Sequence, residues 1–166
     1  TGTGANASFG HGLGVKPAMF IIKRLSGTED WAVYHKSITA SYYLNLNTTS
    51  AKNSNNRWNG EPTASLINLQ NHSAVNGSGS TYVCYAFAGK TGYSKFDSYT
   101  GNGNANGAFV YTGFKPAFVL TKNTSSGNNW TMCDNKRKTF NTNNVVLNPN
   151  ENTAEATNNP QDFLSN

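Results

Sequence analysis

The chain has 166 residues, 36% of them hydrophobic, which suits one domain of ordinary size or two small ones. Only 13% of residues are charged, the formal net charge is +5, and Asn fills about one position in six. With 12% aromatic residues this composition excludes a disordered chain, and no apolar run is long enough to cross a bilayer as a helix.

Asn, Ser, Thr and Gly carry the polarity. Asn and Gly tolerate left-handed backbone, and Asn, Ser and Thr bond to nearby main chain, so all favour turns over helix interiors. In chain order, the Gly-rich start TGTGANASFG reads as strand turns, since neither a following helix nor a Lys-Ser/Thr pair makes it a phosphate loop. Pro17 fixes the backbone before an apolar run, Ala18 to Lys23, that reads as a central strand buried on both sides. Residues 26–30 form a polar turn, and Trp31 to His35 return as the second arm of a hairpin. Ile38, Ala40, Tyr42, Leu44 and Leu46 alternate with polar residues, as in a half-buried strand. Ala51 to Pro62 is a long polar loop carrying Trp58. Ser65 to Leu69, Thr81 to Phe87 and Ser94 to Tyr99 complete the strands. No window shows a helical stripe with caps, so the expected fold is all-β, built of antiparallel β-sandwich units of the jelly-roll or lectin-like kind, with roughly seven strands per hundred residues.

The chain then repeats itself. With a shift of 99 positions, Thr1-Gly2-Thr3-Gly4 falls on Thr100-Gly101-Asn102-Gly103, and Gly14 to Met19 falls on Gly113 to Phe118. Lys23 falls on Lys122 and Trp31 on Trp130, while a shift of 101 brings Leu46-Asn47 onto Leu147-Asn148. Chance similarity in this composition would favour Asn and Ser rather than the Pro, the apolar strand and the Trp, so the repeat is a duplication. It predicts a first sandwich over 1–99 and a second over 100–166. The second has no counterpart to Ser80–Tyr99, so it is expected to be truncated or completed by another segment. The chain does not begin with Met, as expected of a processed product or a fragment. A duplication also predicts that Pro17 and Pro116, and Trp31 and Trp130, occupy matching places, with both Trp side chains in core packing.

Chemistry-bearing constellations are scarce. Glu29 and Asp30 are adjacent in the hairpin turn and become Asn128 and Asn129 in the second repeat, which argues for a solvated turn over a glycosidase pair. His11, His35 and His72 lack zinc spacing, and His35 corresponds to Asp134, so a polar strand end is expected there. No calcium loop and no Gly-x-Ser-x-Gly nucleophile occur. Cys84 and Cys133 read as buried free thiols, and Lys136-Arg137-Lys138 as a solvated turn without the aromatic interleaving of a nucleic-acid site. Asn-x-Ser/Thr triplets arise from composition and say little about glycosylation. The expectation is therefore no catalytic residue, no metal and no cofactor. Trp58, flanked by Arg57 and Asn59 without a repeat partner, is the one candidate ligand site: exposed, it would stack on a sugar face; otherwise it pins its loop onto the sandwich.

Two stretches, Gly92 to Lys122 (GYSKFDSYTGNGNANGAFVYTGFKPAFVLTK) and Trp130 to Arg137 (WTMCDNKR), resemble a β-sandwich repeat of structural, tail-fibre-like proteins of tailed bacteriophages, notably marine ones. HGLGVKPAMFIIK and STYVCYAFAG resemble the same unit in its first copy. The resemblance implies a virion structural module, in a tail fibre or a capsid decoration, with other virion proteins and further copies of itself as partners. It carries over no catalytic residue. The alternative is a lectin-like carbohydrate-binding module that recognises host-surface glycan through Trp58. Membrane and nucleic-acid partners are not expected.

Overall fold

The computed structural model describes residues 1–138 and 141–165, all of them strand, turn or irregular backbone with no helix. Asn166, the expected last residue of the second repeat, lies outside the described residues. Eleven strands run through these residues: β1 (Ala7–Gly10), β2 (Met19–Arg24), β3 (Ala32–His35), β4 (Tyr42–Asn45), β5 (Asn53–Ser54), β6 (Leu66–Leu69), β7 (Tyr82–Phe87), β8 (Phe118–Thr121), β9 (Thr131–Asp134), β10 (Asn143–Val146) and β11 (Ala156–Gln161). Every pairing among them is antiparallel. The fold is all-β and sandwich-like, as the turn-rich composition predicts.

The first repeat holds seven of these strands. A five-stranded sheet in the order β5-β4-β3-β2-β7 faces a two-stranded sheet, β1-β6. Strand β2 lies inside the sheet, flanked by β3 and β7, which is why its run MFIIKR is apolar on both faces at its start. Phe20, Ile22, Ala32 and Tyr34 point from the large sheet toward Ile67 and Leu69 of β6, and together with Trp58, Ala74 and Val75 they form the main core. Met19, Val33 and Leu44 occupy the opposite face.

Two expectations need correction. Ile38 and Ala40 lie in a turn, and only Tyr42–Asn45 of that alternating stretch is strand, because β4 is confined between a tight turn and the descent to β5. Ser94–Tyr99 is not a strand: its backbone pairs only through the Lys90–Ser94 bridge, and Phe96 serves by stacking on Phe87, with ring centroids 6.2 Å apart.

The duplication is visible in the ladders. Met19 pairs with His35, Phe20 with Tyr34, Ile21 with Val33 and Ile22 with Ala32. In the second repeat Phe118 pairs with Asp134, Val119 with Cys133, Leu120 with Met132 and Thr121 with Thr131, each residue shifted by 99. Gly14 and Gly113 both take positive φ, 72° and 82°, as do Gly4 and Gly103 at 70° and 67°, so the turns repeat along with the strands. Lys23 Nζ donates across the hairpin turn to Glu29 O at 2.6 Å, and Lys122 Nζ to Asn128 O at 2.8 Å.

Beyond β9 the offset grows to 103. Val33 pairs with Leu44 where Met132 bridges to Leu147, and Tyr43 pairs with Asn53 where Val146 pairs with Ala156. The Trp31 N–H donates to Asn47 Oδ1 at 2.9 Å, and the Trp130 N–H to Asn150 Oδ1 at 2.8 Å. The sequence alone matches Leu46-Asn47 with Leu147-Asn148, two positions out of step with these bonds. The connection after β9 is longer than that after β3, and a repeated Leu-Asn dipeptide hides the difference. The error is even, so each side chain keeps its face.

Candidate functional site: the Trp58 loop and the face between the repeats

Asn55 organises the Trp58 loop. Its Oδ1 accepts the N–H groups of Arg57 and Trp58 at 2.7 and 2.8 Å, and its Nδ2 donates back to Trp58 O at 2.7 Å. This Asx arrangement throws the indole inward. Trp58 is 1% exposed, stands edge-on to Phe20 at 4.9 Å and to Tyr34 at 6.3 Å, and donates its ring N–H to Tyr42 O at 3.0 Å. Arg57 is buried too, with its guanidinium 4.4 Å from the centre of the Tyr43 ring. Burial holds its pKa below the usual arginine value. Asn59 alone is exposed, and its N–H donates to Asn68 O.

The sugar-stacking role expected of Trp58 is therefore corrected. Both faces of the indole are taken up by the core, and the residue pins its loop onto the sandwich. Glu61 extends that lock: its carboxylate accepts from Tyr34 OH at 2.7 Å, Lys16 Nζ at 2.9 Å and the Ala40 N–H at 2.6 Å. Partial burial opposes its ionisation, but these three donors outweigh it and hold the carboxyl below its usual range.

The other aromatic of interest lies between the repeats. Trp130, 4% exposed, packs with Leu120 against Met19, Val33 and Leu44 of the first repeat's large sheet and Ile38 of the turn after β3. Its indole N–H donates to Asn45 O at 2.9 Å, across the repeat boundary. Lys122 Nζ reaches Thr49 O at 3.0 Å, and the Lys52 N–H reaches Thr124 O at 3.1 Å. The β8–β9 hairpin thus forms a third layer over the first repeat.

Trp31, expected in a matching place, keeps the matching backbone bond but is only half-buried. Pro17 is fully buried and Pro116 half-buried. Nothing in the sequence of one repeat announces which of its copies becomes an interface. The signal was there only in the pair: identical residues in one register, one of which has the second repeat's own position to fill.

The remaining candidates hold structure together. Asp30 accepts from Asn45 and Asn47 side chains at 3.0 and 2.8 Å, tying the turn to β4, and Asn129 plays that part toward Asn150 at 2.8 Å. His35 Nδ1 accepts the Ser37 N–H at 3.2 Å, as Asp134 Oδ1 accepts the Lys136 N–H at 2.9 Å, so the expected strand-end role is found in both repeats. Arg137 of the basic triplet grips Asp134 with two nitrogens at 2.7 Å, and Lys138 donates to Asn144. Cys84 and Cys133 are free thiols, the first half-buried and the second buried. Burial pushes the Cys84 thiol up to about 12, which leaves little thiolate at neutral pH. Among the described residues no group of His, Cys, Asp and Glu could hold a metal ion, and no helix is long and apolar enough to cross a membrane.

A family model described as a domain of unknown function, DUF7483, matches residues 1–166. The chain belongs to the DUF7483 family. The DUF7483 match runs through both repeats and the layer between them. No curated protein and no solved structure matches the chain.

Proposed function

We propose that this chain is a non-catalytic structural module of a phage virion, acting in a tail fibre or a capsid decoration through assembly and surface display. One observation carries the reading: a cluster of aromatic and aliphatic side chains stacks the second repeat on the first, with Trp130 buried on the first repeat's sheet beside Met19, Val33 and Leu44. Tandem sheets layered in this way make stiff spacers, and a surface rich in Asn, Thr and Gly stays hydrated with few charges. The phage resemblance of Gly92–Lys122 supplies the setting, and closed symmetric self-association is the expected mode of assembly. His35, Asp30 and Glu61 are engaged in bonds that hold turns and strand ends, which suits a wall better than a reaction centre.

Mass spectrometry of purified particles from the source phage tests the reading. The chain is expected among the virion proteins at a stoichiometry that repeats with the particle's symmetry. Its recovery from the infected-cell lysate but not from washed particles would overturn the assignment.

A further inference from the structure

In the first repeat the outer side of β2 is covered along its whole length. Six residues of β7 pair with it, from Met19–Phe87 to Arg24–Tyr82, and the ladder is extended by the Ala18 N–H to Phe87 O and the Leu25 N–H to Thr81 O. In this repeat Pro17 is buried and Met19 is only 8% exposed. Strand β8 is the same strand at an offset of 99, pairs with β9 in the same register, and has no second neighbour among the described residues. Phe118, which stands where Met19 stands, is 55% exposed.

An open strand edge of this kind is a template for another strand unless charge, Pro or a bulge blunts it. Phe118-Val119-Leu120-Thr121 carries none of these. Lys122, the nearest cation, is held across the hairpin turn by Asn128 O and Thr49 O. From these observations we infer that the outer edge of β8 is a docking edge for an antiparallel strand of the β7 kind, added to the sheet by main-chain hydrogen bonds. The occupant is defined by the first repeat. Phe87 and Tyr85 lie opposite Met19 and Ile21, on the face turned toward the neighbouring repeat, while Ala86 and Cys84 lie opposite Phe20 and Ile22, on the main-core face. The partner strand therefore alternates small and aromatic residues, the aromatics beside Phe118 and Leu120 and the small residues beside Val119 and Thr121. Residues on this edge alternate in hydrogen bonding, and the Leu25–Thr81 bond sets the phase: the N–H groups of Phe118 and Leu120 face the incoming strand. The inference stands on the repeat geometry and not on the virion reading.

A labelled peptide covering Ser80 to Ala88, with Cys84→Ser to prevent disulfide formation, is titrated into the 166-residue protein, and amide exchange is followed residue by residue. Saturable binding below about 100 μM is expected, with new protection at Phe118 and Leu120. The same peptide with Tyr85→Pro loses a ladder donor and should bind about tenfold more weakly or worse. Three results would overturn the inference: no saturable binding, equal binding of the proline peptide, or protection confined to β2 or β7. Concentration-dependent dimerisation that protects the β8 amides and is indifferent to the peptide would assign the edge to a second copy instead.

Discussion

At the scale of single residues, Trp58 shows how polar neighbours disguise a core side chain. It sits among Arg, Asn and Gly, yet Asn55 turns the loop so that the indole closes the space between the large sheet and β6. Phe20 and Tyr34 stack at 4.7 Å and Trp58 meets both edge-on, an arrangement in which each aromatic pair contributes about 0.5–1.5 kcal/mol beyond burial. Trp58→Ala removes the ring and leaves Tyr42 O without its donor. The expected loss is about 3–5 kcal/mol, measured by denaturant unfolding followed in the far ultraviolet. A loss under about 1 kcal/mol, in the range of surface substitutions, would return the residue to the surface and reopen the stacking role.

At the scale of elements, the turn after β3 and the turn after β9 solve one problem with two side chains. His35 Nδ1 and Asp134 Oδ1 each accept the N–H two residues on. A protonated imidazole cannot accept, and burial, reinforced by Lys36 and opposed by Asp97, holds the His35 pKa below its ordinary value. The unfolded chain therefore binds more protons than the folded one between the two pKa values. The stabilisation is fully present above the ordinary histidine pKa and is lost as pH falls toward the folded value. His35→Asn keeps a side-chain acceptor that does not titrate. Between pH 7.5 and pH 5 the melting temperature of the native chain should fall further than that of the variant, with His72 common to both; parallel falls would show that His35 is not coupled to folding. The sequence made this turn legible because polarity recurred at one position of the repeat, as did the β2 and β8 runs behind their Gly-x-Lys-Pro-Ala lead-ins. It did not reveal β1, whose ASFG is too short and too polar to read as a strand without β6 beside it. Nor did it give the fate of 94–99, whose Phe96 and Tyr99 suggest a strand, yet only Ser94 pairs, through the bridge to Lys90. Strand pairing is a long-range fact, and only the internal repeat let part of it be read in advance.

At the scale of the whole molecule, the question is which part of the layered structure stands by itself. The first repeat has seven strands, two sheets and a core in which Phe20, Tyr34, Trp58 and Ile67 are almost fully buried, all drawn from residues before Tyr99. Among its described residues the second repeat has four strands and a small cluster of Cys133, Val146 and Phe163, with Trp130 and Leu120 committed to the neighbouring sheet. Folding should therefore be hierarchical, with the first repeat supplying the surface on which the β8–β9 hairpin settles. Residues 1–99 produced alone are expected to retain β-sheet circular dichroism and the blue-shifted emission of a buried Trp58. They should also expose Met19, Val33 and Leu44, and so associate in a concentration-dependent way that the full chain does not show to the same degree. Sedimentation velocity of both chains over a range of concentrations measures the difference. If 1–99 is unfolded, the two repeats form one cooperative unit and the layer at Trp130 belongs to the core itself; if it is folded and strictly monomeric at all concentrations, that face is not an adhesive one and the stacking seen here depends on the linkage of the repeats.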